Sequence, residues 1–179
     1  MYQKSDVEQA AKTRCPWGSK KFPKYQEMKG KPLLQVFFTV PSYFMWMHSQ
    51  AENDVNWHWL HEACDKILWA MDQIPIASKC QCGNPLHYTS LYFDSGTASA
   101  RPSYMYNGFN MCEKRLDCKS AGGFESRKAM IVRLTPVEVL PHITLRGFQE
   151  HFIHKTFKTL HKLPKRFSLD PYVQWLISF

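Results

Sequence analysis

The sequence predicts an α+β fold, on three observations. Trp57, Leu60, Cys64, Ile67, Leu68 and Met71 recur at helical spacing and form one apolar face over about four turns. Thr89-Ser90-Leu91-Tyr92-Phe93 and Ala129-Met130-Ile131-Val132-Arg133-Leu134 read as short strands, rich in β-branched and aromatic residues. Leu145, Phe148, Phe152, Ile153, Phe157 and Leu160 mark a C-terminal amphipathic helix that stops before Pro164. With 179 residues, 44% of them apolar and 21% charged, the chain can bury a core and is not globally disordered.

Taken in order, residues 1–21 are a polar lead-in with a short helix through 7–11. From 22 to 50 the pattern predicts a short extended piece, a Gly30-Lys31-Pro32 turn, the apolar run Leu33-Leu34-Gln35-Val36-Phe37-Phe38, then a helix. Pro41-Ser42 stands at that helix opening, where the missing proline N–H costs nothing. Asn53 or Asp54 can cap the next helix, and Pro75 ends it. Segment 22–75 is thus a small module plus a helix, 76–128 a four-cysteine segment, and 129–179 a strand with a basic helix. The helix around 57–71 is expected to join these pieces into one core.

Charge narrows the partner. The formal net charge is +8, and it is unevenly placed. Residues 1–32 hold eight basic groups against three acids, and residues 146–166 hold six against one. Residues 33–111 carry three against six. Two basic blocks around a mildly acidic, aromatic-rich middle point to a polyanion, DNA or RNA, as partner; ordinary solubility charge is the alternative. No apolar stretch follows Met1 to make a secretory signal, and Gln35, Thr39, Pro41, Ser42 and His48 break the uncharged stretch 32–51 as a membrane span. The expectation is a cytoplasmic protein without membrane contact.

Lys24, Lys29 and Lys31 surround the Gly-Lys-Pro turn, and Tyr43, Phe44, Trp46 and Met47 supply an aromatic base expected to be core. A lysine-rich turn on a rigid base suits phosphate contact. Phe22-Pro23-Lys24-Tyr25, Lys29-Gly30-Lys31-Pro32-Leu33 and Val40-Pro41-Ser42-Tyr43-Phe44-Met45-Trp46-Met47 resemble the C-terminal module of exodeoxyribonuclease X and its stand-alone relatives, common in phages. Pro23 replaces the glycine of that pattern, and Gln26-Glu27-Met28 is an insertion. The resemblance implies a nucleic-acid-associated accessory role, in a phage- or virus-like protein of the host cytoplasm or virion, without catalysis in the module itself.

Six cysteines without a signal peptide are expected to be reduced thiols. Cys80-Gln81-Cys82 and Cys112-(five residues)-Cys118 form two pairs that a hairpin of 89–93 and 104–110 could bring together. Zinc takes four such ligands at tetrahedral corners, and Gly83 fits a tight turn aiming N–H groups at sulfur. Cys80, Cys82, Cys112 and Cys118 are the expected ligands of a closed, structural zinc site, with His87 able to replace one of them; buried unligated thiols are the alternative. The arrangement resembles four-cysteine segments that accompany the lysine-glycine module in some phage proteins. The full expectation is therefore a small mixed α+β domain with a zinc-stabilised β-hairpin and a C-terminal amphipathic helix.

Two histidine groups complete the reading. His58 and His61, with Glu62 and Asp65, share one helix face, as the polar face of any amphipathic helix would. His142, His151 and His154 resemble a ββα-metal nuclease arrangement, the enzymatic alternative. Read instead as a basic helix, His151, Lys155, Lys158 and Lys162 form a stripe opposite Phe148 and Phe152. The main expectation is a non-catalytic nucleic-acid-binding accessory protein with Lys24, Lys29, Lys31, Lys155, Lys158 and Lys162 at phosphates. A protein-interaction role, as a virion component or an inhibitor of a host protein, is the third class.

Overall fold

A computed structural model of the chain describes residues 1–80, 82–94, 103–112, 129–143 and 146–179. The fold is α+β, divided into a helical unit (Met1–Ile74 with Pro164–Phe179) and a sheet unit (Pro75–Leu163). No helix among the described residues is long and apolar enough to cross a membrane.

The helical unit opens with α1 (Lys4–Lys12), whose start is held by the Asp6 carboxylate accepting from Gln3 N at 3.3 Å. Its buried face is Val7, Ala10 and Ala11, at i, i+3 and i+4. The following segment runs against the Lys-Gly turn. Cys15 N donates to Lys31 O, Gly30 N to Cys15 O and Leu33 N to Thr13 O, each at 2.8 Å. Gly30 has φ +76°, a left-handed conformation that a residue with a Cβ would hold only under strain.

Where an extended piece is expected after Phe22, the chain instead forms a single helical turn, α2 (Pro23–Gln26). Proline's fixed φ at the first helical position favours that choice. The apolar run is also helical, as α3 (Leu33–Thr39), and buries Leu33, Leu34, Val36, Phe37 and Phe38. A helix apolar on nearly every side must sit inside its unit. Val40 separates it from α4 (Pro41–Glu52), which buries Tyr43, Phe44, Met47 and Ala51. Asp54 then accepts from Asn56 N at 3.0 Å and caps a short 3-10 turn that leads into α5 (His58–Gln73). The expected apolar face of α5 is present, with Leu60, Cys64, Ile67, Leu68 and Met71 buried. Trp57 and Trp69 are half-buried.

In the sheet unit, β1 (Tyr88–Asp94) is central, paired antiparallel with β2 (Ser103–Met111) on one side and β3 (Ala129–Arg133) on the other. The 89–93 and 104–110 hairpin thus forms, and the second expected strand joins it. Next come α6 (Pro136–Val139), capped by the Thr135 hydroxyl accepting from Glu138 N, and a 3-10 turn at Leu140–His142. Buried Gln149, on α7 (Arg146–His151), donates to Leu140 O and Ile143 O at 3.2 and 2.6 Å, tying that turn down.

The C-terminal amphipathic helix is present but not uniform. A π-helical stretch (Phe152–Phe157) separates α7 from α8 (Lys158–Leu160). Burial falls on 152 and 153, then on 157 and 158, then on 160 and 161, so the π stretch adds one residue to the α-helical repeat. Lys162, at φ +54°, closes the helix with Leu163 N donating to Lys158 O at 2.8 Å. The chain then returns to the helical unit, where α9 (Leu169–Leu176) buries Tyr172, Val173 and Leu176.

His161 carries a pH prediction. Burial pushes its imidazole down from 6.5 to about 4. Above pH 6.5 this histidine is neutral in both states and costs nothing; between 6.5 and 4 only the unfolded chain binds the proton, so stability falls as pH falls through that window. That shift corresponds to about 3 kcal/mol. Urea unfolding followed across pH 4–7 should show this fall, and His161→Gln should flatten it.

Candidate functional site

α4 shows two faces. Tyr43, Phe44, Met47 and Ala51 are buried, while Trp46 and Gln50, with Asn53 just past the helix end, follow one another along an exposed edge at i, i+4 and i+7. Tyr43 is buried, but Trp46 is 50% exposed, so the expectation that Trp46 belongs to the core does not hold. Its position, two residues from Phe44, turns it away from the inward face.

Trp46 lies within a continuous ladder of rings. Phe22 meets Tyr25 at 5.3 Å between centroids, Tyr25 stacks on Tyr43 at 4.3 Å, and Tyr43 on Trp46 at 5.6 Å. Trp46 then meets Trp17 at 5.8 Å, Trp17 meets Trp57 at 4.8 Å, and Trp57 meets Trp59 at 5.7 Å. Three members open to solvent, Phe22 at 47%, Trp46 at 50% and Trp59 at 45%. Trp17, Trp46 and Trp57 line an open cleft of about 640 Å³, together with Lys29, Gln50 and Asn53. Asp54 also lines it, but one oxygen of its carboxylate is engaged by Asn56 N and Nδ2. Gly18 is at the wall, where a Cβ would come within 2.6 Å of Gln26 Oε1 and 3.2 Å of Lys29 Cβ.

The lysines divide. Lys24, Lys29 and Lys31 are exposed, on α2 and on either side of Gly30. In the sheet unit Lys155 and Lys162 are exposed, but Lys158 is not. Only 8% of Lys158 is exposed, and burial lowers its ammonium below the usual lysine value. The expected stripe through 151, 155, 158 and 162 assumes a regular α-helix. The π-helical residue count rotates Lys158 onto the buried side, and we remove it from the phosphate-contact candidates.

The cysteines meet as the hairpin dictates. Tyr88 pairs with Met111, so the residues just before β1 and just after β2 are neighbours, and Cys112 follows β2 directly. On the other side, Lys79 bridges to Pro85, Cys80 N donates to Asn84 O, and Gly83 N donates to Cys80 O, both at 2.9 Å. Gly83 has φ +85°. Within this turn Cys82 N donates to Cys80 Sγ at 3.2 Å, and Asn84 Nδ2 to Cys82 Sγ at 3.3 Å. Cys80 and Cys112 are buried and Cys82 is exposed.

The Cys80, Cys82 and Cys112 sulfurs lie within 4.8 Å of one another and could hold a metal ion. Cys82 and Cys112 are 3.6 Å apart, close to the edge of about 3.8 Å that a tetrahedron with zinc–sulfur bonds requires. Cys80 and Cys82 are 2.7 Å apart, so a bound ion would spread that pair by about 1 Å. Cys118 lies outside the described residues. His87 is exposed, and its carbonyl accepts from Leu134 N.

Among the described residues, the only other group of three potential ligands is His48, His61 and Asp65. His142, His151 and His154 belong to neither group. Glu62, expected on the same face as Asp65, pairs instead with Lys66 at 2.8 Å.

The fold and these sites define an α+β protein with an aromatic-lined cleft in its helical unit and a cysteine cluster beside its hairpin. Comparison with protein-family models, with curated proteins and with solved structures gives no match in any of the three.

Proposed function

We propose that this chain is a non-catalytic, single-strand-binding nucleic-acid accessory protein whose sheet unit is organised by a structural zinc ion. The observation that carries the reading is the aromatic ladder, open to solvent at Phe22, Trp46 and Trp59, with Lys29 on the wall of the cleft that Trp46 lines. Nucleobases stack on such rings irrespective of sequence, and ammonium groups alongside track the phosphates. Gln50 and Asn53 offer amide donors and acceptors for a base edge. The likeness of 22–47 to the exodeoxyribonuclease X C-terminal module points the same way.

Zinc is the ion that three thiolates and a fourth sulfur or imidazole suit best. Cys80, Cys82 and Cys112 would hold it, with Cys118 or His87 completing the set. A closed site of that kind supplies folding energy and no hydrolysis.

The test is electrostatic. Binding of a single-stranded oligonucleotide, followed by fluorescence, is expected to weaken with salt, with a log–log slope of about −0.7 per neutralised phosphate. Replacing Lys24, Lys29 and Lys31 together by alanine should reduce the slope by about 2 and lower affinity evenly across sequences. A wild-type chain that ignores DNA and RNA at low ionic strength would overturn the reading and favour a protein partner for the same aromatic face.

A further inference from the structure

His48 stands on α4, and His61 and Asp65 stand one turn apart on α5. The packing of these two helices stacks the imidazoles at 4.3 Å with 6° between their planes. Both Nε2 atoms face one carboxylate, His48 at 2.7 Å from Oδ1 and His61 at 3.3 Å from Oδ2 of Asp65. The other nitrogen of His61 is also engaged, with Nδ1 at 3.1 Å from the His48 carbonyl oxygen.

A proton count makes this arrangement informative. A carbonyl oxygen only accepts, so His61 Nδ1 carries the hydrogen. A neutral imidazole has one N–H, which leaves Nε2 with a lone pair 3.3 Å from a carboxylate oxygen that also only accepts, and this contact is not a hydrogen bond. Two acceptors at 3.3 Å repel unless a positive species lies between them. A second proton on His61 is one such species, and a divalent cation is the other.

Three features favour the cation. A backbone carbonyl that holds the far N–H of an imidazole is the support metal-binding histidines ordinarily have, because it fixes the tautomer with its lone pair toward the ion. The ligand atoms, drawn from two helices, lie within 4.8 Å of one another, and one imidazole turning out of the parallel stack would bring both lone pairs onto one ion. Their spacings of 2.7 and 3.3 Å also approach the edge of about 3.3 Å expected for zinc bonds to nitrogen and oxygen.

We propose that His48, His61 and Asp65 form a second metal site, for a divalent ion of the zinc, cobalt and nickel class. Two imidazoles and one carboxylate select such borderline ions over magnesium or calcium, which prefer all-oxygen shells. The side chains are 20%, 25% and 39% exposed, so water completes the coordination and stays exchangeable. This site differs from the cysteine cluster in ligand chemistry and in solvent access. It does not depend on the nucleic-acid reading.

Cobalt(II) titration of the full chain tests it, because thiolate ligands produce an intense near-ultraviolet charge-transfer band and imidazole–carboxylate ligands do not. The wild type should show both the thiolate band and a separate visible absorption without it. Asp65→Asn, which preserves shape, and His61→Ala should each weaken the second component at least about tenfold while leaving the thiolate band intact. Cys112→Ser should do the reverse. Nitrogen-15 shifts of the wild-type imidazoles give a readout that needs no variant, and added Zn²⁺ should move His48 and His61 Nε2 while His61 Nδ1 keeps its hydrogen. Loss of all cobalt absorption in Cys112→Ser, or a His61 that stays doubly protonated in excess Zn²⁺, would overturn the proposal.

Discussion

Cys112→Ser is expected to abolish metal binding beside the hairpin and to unfold the sheet unit. Cys112 is fully buried just after β2 and 3.6 Å from Cys82, so a serine there removes one of the three clustered thiols that the proposed zinc would take. A structural zinc ion contributes on the order of 10 kcal/mol to small zinc-dependent folds, comparable with the whole stability of a domain, about 5–15 kcal/mol. Elemental analysis should show the thiolate-bound ion gone, and far-ultraviolet circular dichroism should show strand signal lost. A chelator on the wild type should reproduce both changes. All six tryptophans lie in the helical unit, so their fluorescence monitors that unit separately. A serine variant that keeps its metal and its melting transition would remove zinc as the organiser of the sheet.

The double replacement Trp46→Ala/Trp57→Ala is expected to have the largest effect on affinity. Stacking contributes about 1–3 kcal/mol per base by alanine substitution, so losing two platforms should weaken single-strand binding by about 30-fold or more. No charge is removed, so the salt slope should stay at its wild-type value. That separates the aromatic contribution from the lysine contribution. Trp69 packs edge-on against Tyr2 at 5.4 Å and Phe179 at 5.1 Å, outside the ladder, and Trp69→Ala should leave affinity unchanged. Equal affinity in the double variant and the wild type would eliminate the cleft as the binding surface.

Local pattern made much of this fold legible. β-Branched and aromatic residues marked 89–93 and 129–134, a preference that belongs to each residue and its immediate neighbours. The spacing of Leu60, Cys64, Ile67 and Met71 marked α5 for the same kind of reason. Gly30 and Gly83 both occupy the left-handed conformation their turns demand. Cys80, Cys82 and Cys112 were legible as a group because they flank the hairpin, whose strand pairing brings its two ends together. Helix α9 escaped the reading. It is short, and Tyr172, Val173 and Leu176 are buried only because the chain returns to residues far away in sequence.

The amino-acid sequence by itself therefore determined the α+β class, the hairpin, the two glycine turns and the identity of three clustered thiols, since each depends on contacts within a few residues or on one strand pairing. Tertiary structure alone decided three further matters. The π-helical stretch turned Lys158 inward, because a one-residue change in helical repeat responds to packing and leaves no spacing signature. Helix packing brought Trp17, Trp46 and Trp57 to one cleft from three separate segments. It also set His48 of α4 against His61 and Asp65 of α5, which converts an ordinary polar helix face into a convergent set of ligands. Such sites are sums of side-chain directions from elements far apart in the chain, and a linear pattern carries no information about those directions until the helices have packed.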